Sequence, residues 1–276
     1  MSRVRWSVQA VVCVLCWLAA ALTVSAHDLW LVPGADPAAG KPLLVRASSG
    51  MDFPLSVHAP DVTKFSRRVV IRPDGREGPV DAAGQDGLSS LLRFEPAAAG
   101  VYIVAVETPV RQITLEAEQF NEYLVADGLS QIYRLRAKEK TLGEPGREQY
   151  SKSPKALVRV GQGGGGDPCR PVGLPLEIVP LCDPFSLQVG DTLRVRVLFR
   201  NQPLADANLG WDLPDDGEAA SGTVRTDSRG EALLPIARTG LVTIRLTHMT
   251  RPKTADFEWE SFWTTLTWRV PGTEAR

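Results

Sequence analysis

The sequence predicts a mainly β protein: two β-sandwich domains, the C-terminal one immunoglobulin-like, with a short helical insert after the first. Three observations predict it. Short runs rich in β-branched and aromatic residues recur between turn residues along most of the chain. Proline (21) and glycine (24) exceed their usual share, as many turns require. Only after Thr114 does the apolar period change from two to the helical one.

The elements follow in order. Arg3 and Arg5 precede an apolar stretch from Val11 to Val24, and Val24-Ser25-Ala26 offers the small residues of a signal-peptidase site. Residues 1–26 therefore read as a signal peptide, with the mature chain starting at His27. Residues 27–160 read as the first sandwich. Pro42–Arg46, Leu55–His58, Arg68–Ile71 and Gly100–Val106 are its strand candidates, with Pro73-Asp74-Gly75 a turn between two of them. Leu115, Phe120 and Leu124, then Leu129, Ile132 and Leu135, predict helices over about 115–125 and 129–140, broken at Asp127-Gly128. Gln149 to Val160 returns to a strand. The glycine run from Gly161 to Gly166 predicts a flexible linker over 161–175. Residues 176–272 hold roughly seven strands, an immunoglobulin-like count. In the clearest of them Leu193, Val195 and Val197 alternate with Arg194 and Arg196.

Composition excludes several functions. The formal net charge of the 276-residue chain is −1, which argues against nucleic-acid binding through bulk electrostatics. Removing residues 1–26 takes two arginines and no acid, leaving 29 basic residues against 32 acidic ones. Cys169 and Cys182 are the two cysteines that remain. An even pair in an exported chain predicts a disulfide closing a short loop, worth roughly 3 kcal/mol. No Gly-x-Ser-x-Gly elbow, His-Glu-x-x-His pair, phosphate loop or dinucleotide fingerprint occurs. The sequence thus predicts a binding protein rather than an enzyme.

Three histidines make each one worth an argument. With cleavage after Ala26, His27 offers both a free α-amine and a ring nitrogen, a chelate suited to copper or nickel. His248 continues the face of Val242, Ile244 and Leu246 at a strand end, a core-side position open to a structural or a ligand role. His58 ends a short strand on the side opposite Val57 and is the reserve ligand. Asp256, Glu258 and Glu260 share one face of an extended segment, where they could supply oxygen ligands or a solvated strand edge.

Ordered motifs run through nearly the whole mature chain. They are His27-Asp28-Leu29-Trp30-Leu31, Phe120-Asn121-Glu122-Tyr123-Leu124 with Gly128-Leu129, and Gly146–Lys152 with Lys155-Ala156-Leu157. Leu176–Pro180 with Asp183-Pro184, Gly190-Asp191, Pro203-Leu204, Thr226-Asp227 with Gly230, His248, and Trp259-Glu260-Ser261 with Leu266-Thr267 complete them. Together they resemble an exported two-domain family of unknown function commonly described as a nickel-uptake component, the NikM-type family. The resemblance implies a periplasmic protein of Gram-negative bacteria that handles a transition metal, nickel or cobalt first and copper next, beside a membrane transporter. It implies a joint site of His27 and His248 at the domain interface, with Asp256 or Glu258 adding an oxygen. Family members called transmembrane carry a further C-terminal apolar segment; this sequence ends Arg269–Arg276 without one, so no stable membrane insertion is expected after cleavage. Two rival expectations stand beside this reading. One is a metal-independent interaction module for a transporter, glycan or exported protein, using Trp211, Trp259, Trp263 and Trp268 as an aromatic patch. The other is a copper protein with an N-terminal histidine brace.

Overall fold

A computed structural model describes residues 27–35, 37–214, 220–253 and 256–272; the expected signal peptide lies outside these described residues. The first half runs β1 (Asp28–Pro33), β2 (Leu43–Gly50), β3 (Arg67–Ile71), β4 (Glu77–Pro79), β5 (Asp81–Asp86), β6 (Ser89–Phe94), β7 (Gly100–Glu107) and β8 (Arg111–Leu115). Helices α1 (Ala117–Ala126) and α2 (Ser130–Glu139) follow, then β9 (Gly146–Lys152) and β10 (Lys155–Val160). The second half holds β11 (Leu176–Pro180), β12 (Thr192–Phe199), β13 (Gln202–Pro203), β14 (Asn208–Leu213), β15 (Ala220–Arg225), β16 (Glu231–Pro235), β17 (Gly240–Thr250) and β18 (Trp259–Val270).

The protein is mainly β, as the sequence predicts, and the strands among the described residues form three sheets. The first has the order β1-β2-β6-β5 and the third is built on β11-β12-β13 with β16 on β12. The second crosses both halves in the order β15-β14-β17-β18-β10-β7-β3-β4. Strand β18 is its hinge: it pairs antiparallel with β17, and parallel with β9 and then β10. Ser153-Pro154 divides what the sequence reads as one strand into β9 and β10, because proline cannot donate to a ladder.

Each sandwich has its own core. Leu31, Val45, Leu92, Tyr102, Val104 and Val158 fill the first, between the first sheet and β7-β10. Leu193, Val195 and Val197 point inward from β12 onto Ile244, Leu266 and Trp268, while Arg194 and Arg196 turn outward and bind Glu231 on β16 at 2.8 and 2.5 Å. A third core seats α1 and α2 on the sheet through Phe120, Leu124, Leu129 and Ile132 against Trp259 and Trp263. Both predicted helices are present within a few residues of their expected bounds.

Several expectations change. Leu55–His58 is not a strand: its one ladder contact with the sheet is an isolated bridge from His58 to Ser49, and Leu55 and Val57 are exposed. The glycine run is pinned rather than free, since the Val101 amide donates to the Gly165 carbonyl at 2.9 Å. Cys169 and Cys182 are free thiols, so the expected disulfide is not formed. The loop it would close is held instead by Glu177, whose carboxylate accepts from the amides of Val172, Gly173 and Leu174 at 2.9, 3.1 and 3.3 Å. Trp259, Trp263 and Trp268 are buried, so they form no exposed aromatic patch.

Candidate functional site

The site begins where β1 starts. Strand β1 is buried along its whole length, and its first residue, Asp28, pairs with Gly50 at the end of β2. From Gly50 the chain folds back on itself. The Val57 amide donates to the Ser49 carbonyl at 2.8 Å, and the Ser49 amide donates to the Ser56 hydroxyl at 2.9 Å. A Cβ at position 50 would stand 2.5 Å from the Leu55 carbonyl oxygen, so this fold-back needs glycine. The result is that His58 comes to lie beside His27, with ring centroids 5.7 Å apart and planes inclined at 47°.

Beneath the two rings is a cavity of about 240 Å³. Strand β9 supplies its polar wall, because Glu148, Tyr150 and Lys152 share one face of the strand. The Lys152 ammonium donates to the His27 carbonyl and sits 4.9 Å over the Trp263 ring. Burial pushes this lysine down to about 8, against the opposing pull of Asp28, Asp127 and Glu148. Glu148 accepts from the Tyr123 hydroxyl at 3.3 Å and from the Ser261 hydroxyl, and burial pushes it up to about 7. Tyr123 stacks on Trp263, 5.7 Å between centroids and 8° from parallel, which carries α1 onto the cavity floor.

A charged chain continues away from the cavity. Buried Asp28 lies 3.7 Å from Arg245, which also binds Asp212 at 3.2 Å. Asp127, at the end of α1, accepts from the Thr247 hydroxyl at 3.0 Å and is pushed up to about 7, first by burial and then by Asp28. Burial also lowers both His27 and His58, helped for His27 by His58 and Lys152 and for His58 by Lys152 and Arg111. Their rings are therefore biased to the neutral form, which is the form that binds metal.

The other expected ligands are elsewhere. His248 lies under Phe199, 4.6 Å between centroids, and Phe199 in turn meets Phe262. Trp263, the next residue on β18, lines the cavity below His27, so His27 and His248 lie on opposite faces of the sheet. The expected joint site is not assembled. Glu258 binds Arg147 at 3.3 Å and Asp256 is exposed ahead of β18; neither reaches a histidine. Among the described residues no three His, Cys, Asp or Glu side chains converge as a ligand set. Glu148, Lys152 and Tyr123 were visible in the sequence only as parts of the resembling motifs; no period or spacing marks them as one site.

The position of His248 has a measurable consequence. Its apolar surroundings and neighbouring Arg200 push it down to about 4. Below pH 6.5 the unfolded chain takes a proton that the folded protein refuses, so this group lowers stability as pH falls. The expected loss between pH 6.5 and 5 is about 1–2 kcal/mol. Urea denaturation at pH 7 and pH 5 should show a smaller drop for His248→Leu than for the parent; equal drops would contradict this placement.

Comparison with known proteins follows the same residues. The profile of a family described as "Domain of unknown function (DUF4198)" matches residues 24–250, from just before His27 to the end of β17. The chain belongs to the DUF4198 family. That description assigns this DUF4198 protein no activity, metal or partner. No curated protein matches it. Among solved structures it is similar to a tetra-tandem repeat in the extending region of a large adhesion protein, at 10% identity and a TM-score of 0.24, covering 89% of this chain and 49% of that one. The chain thus spans about half the length of that structure. It is also similar to a marsupial T cell receptor, at 8% identity and a TM-score of 0.19, covering 90% and 75%. No helix among the described residues is long and apolar enough to cross a membrane.

Proposed function

We propose that this DUF4198 protein is a periplasmic, transition-metal-binding accessory protein whose metal, nickel, cobalt or copper, is held by His27 and His58. The observation that carries the reading is the meeting of those two imidazoles above a cavity. Two imidazoles sharing one ion at about 2 Å per bond place their ring centres roughly 4.5–6.5 Å apart; the observed 5.7 Å lies inside that range. Cleavage after Ala26 would add the α-amine of His27 as a third nitrogen. Such a nitrogen-rich set favours copper and nickel over harder cations. His248 takes no part in it, and on this reading no catalysis is required.

The partner proposed is a membrane metal transporter. Met51, Leu55 and Val57 are exposed on the loop that carries His58, which supports contact with an apolar partner surface beside the metal.

The test uses protein exported through its own signal, without an N-terminal tag. Titration with Ni²⁺, Co²⁺ and Cu²⁺ should give one ion per chain. His58→Ala should weaken binding by about 100-fold, one of three nitrogen donors being lost, and one alanine inserted before His27 should weaken it comparably. His248→Ala should leave affinity unchanged. Full affinity in His58→Ala, or no binding by a chain confirmed to start at His27, would overturn the reading.

A further inference from the structure

The cavity is far larger than a metal ion needs. A cavity of about 150 Å³ already accommodates benzene, and this one measures about 240 Å³. Its side walls are apolar, formed by Ile113, Leu115 and Trp263. Its charges are unevenly engaged. Both carboxylates in the lining are occupied: Glu148 by the hydroxyls of Tyr123 and Ser261, and Asp61 by Thr63 and by Lys64 at 3.0 Å. Neither cation makes an ion pair among the described residues, although Asp28, Asp127 and Glu148 act on Lys152 through space. The exposed Arg111 guanidinium stands at the rim with no hydrogen bond or ion pair among the described residues. The Lys152 ammonium spends one donor on the His27 carbonyl and has two more. Two like charges facing one apolar space next to two imidazoles ask for an anion with an organic body.

We propose that the cavity binds a small organic carboxylate, its carboxylate between Arg111 and Lys152 and its body against Trp263, and that this molecule shares the metal held by His27 and His58. The second half of that statement rests on the metal-binding reading; the first does not. The ligand would then be a metal–carboxylate chelate rather than a bare ion. Arg111 acts as a selectivity residue: its planar fork suits a carboxylate and its exposure leaves it free to move onto one.

Three probes test this on the exported, processed protein: benzoate, citrate, and picolinate, which adds a ring nitrogen donor. Calorimetry should show benzoate or citrate binding without metal, weakened about tenfold in Arg111→Gln by loss of a charge-assisted hydrogen bond. Picolinate should raise the apparent affinity for Ni²⁺ in the parent, and do so less in Arg111→Gln. Ile113→Trp, which fills the cavity but spares both histidines, should block the carboxylates and leave bare Ni²⁺ binding. Metal binding that none of the three probes alters, with no carboxylate bound alone, would overturn the carboxylate site and leave the metal reading standing. Carboxylate binding without any metal binding would remove the shared-metal half and the metal reading together. If neither probe nor metal binds, both fall.

Discussion

Replacing Lys155 by methionine is expected to cost the protein about 3–5 kcal/mol of stability, the usual range for breaking a buried ion pair from one side. Lys155 and Glu177 are 1% and 0% exposed and 2.6 Å apart. Burial lowers the lysine, and Glu177 holds it back by charge and hydrogen bond. The pair joins β10 of the first sandwich to β11 of the second, and the same carboxylate gathers the amides of residues 172–174. Methionine would fill the lysine's volume and leave the carboxylate without its cation. Adding Glu177→Gln should restore part of the loss, because a neutral amide oxygen still accepts from the amides. Replacing Glu177 by leucine instead should not, since the buried amides of Val172 and Leu174 and the amide of Gly173 would lose their acceptor. Urea denaturation of the single and double variants measures this; a loss below about 1 kcal/mol in Lys155→Met would contradict the buried pair.

Gly146→Ala is expected to be nearly as damaging, at about 3 kcal/mol. A Cβ at this first residue of β9 would lie 2.2, 2.4 and 2.5 Å from three ring carbons of Phe120. The ring cannot retreat. It is fully buried, packed on Tyr123 and Trp259, and covered by the Arg136 guanidinium 4.7 Å from its centroid. Shortening the obstacle in a Phe120→Leu, Gly146→Ala double variant should recover stability relative to Gly146→Ala alone. Thermal melts of the three proteins check this, and additive losses would show that the two positions do not press on each other.

What could be read from the sequence was what local period encodes. The alternation around Leu193–Val197 placed β12 and its inward face, and the spacing of Phe120, Leu124, Leu129 and Ile132 placed both helices. Parity also placed His248 on the core side of β17, beside Phe199. What could not be read depends on contacts distant in sequence. Strand β1 is buried on both sides and so shows no alternation. The segment 55–58 has strand-like residues but lies between Pro54 and Pro60, which lack the amides to extend a ladder beyond it on either side. The meeting of His27 and His58 follows from the close approach of Leu55 to Gly50, and one glycine in 24 carries no mark of that in the sequence.

Strand β18 has a wider consequence. Its first residues run beside β9, its middle touches β10, and its whole length lies on β17. Trp263 on one of its faces lines the cavity, and Phe262 on the other packs the C-terminal core. Anything that tightens the pocket therefore loads a structural element that both sandwiches must release in order to unfold. The two halves are therefore expected to melt in one transition, and a ligand in the pocket to raise its midpoint for both.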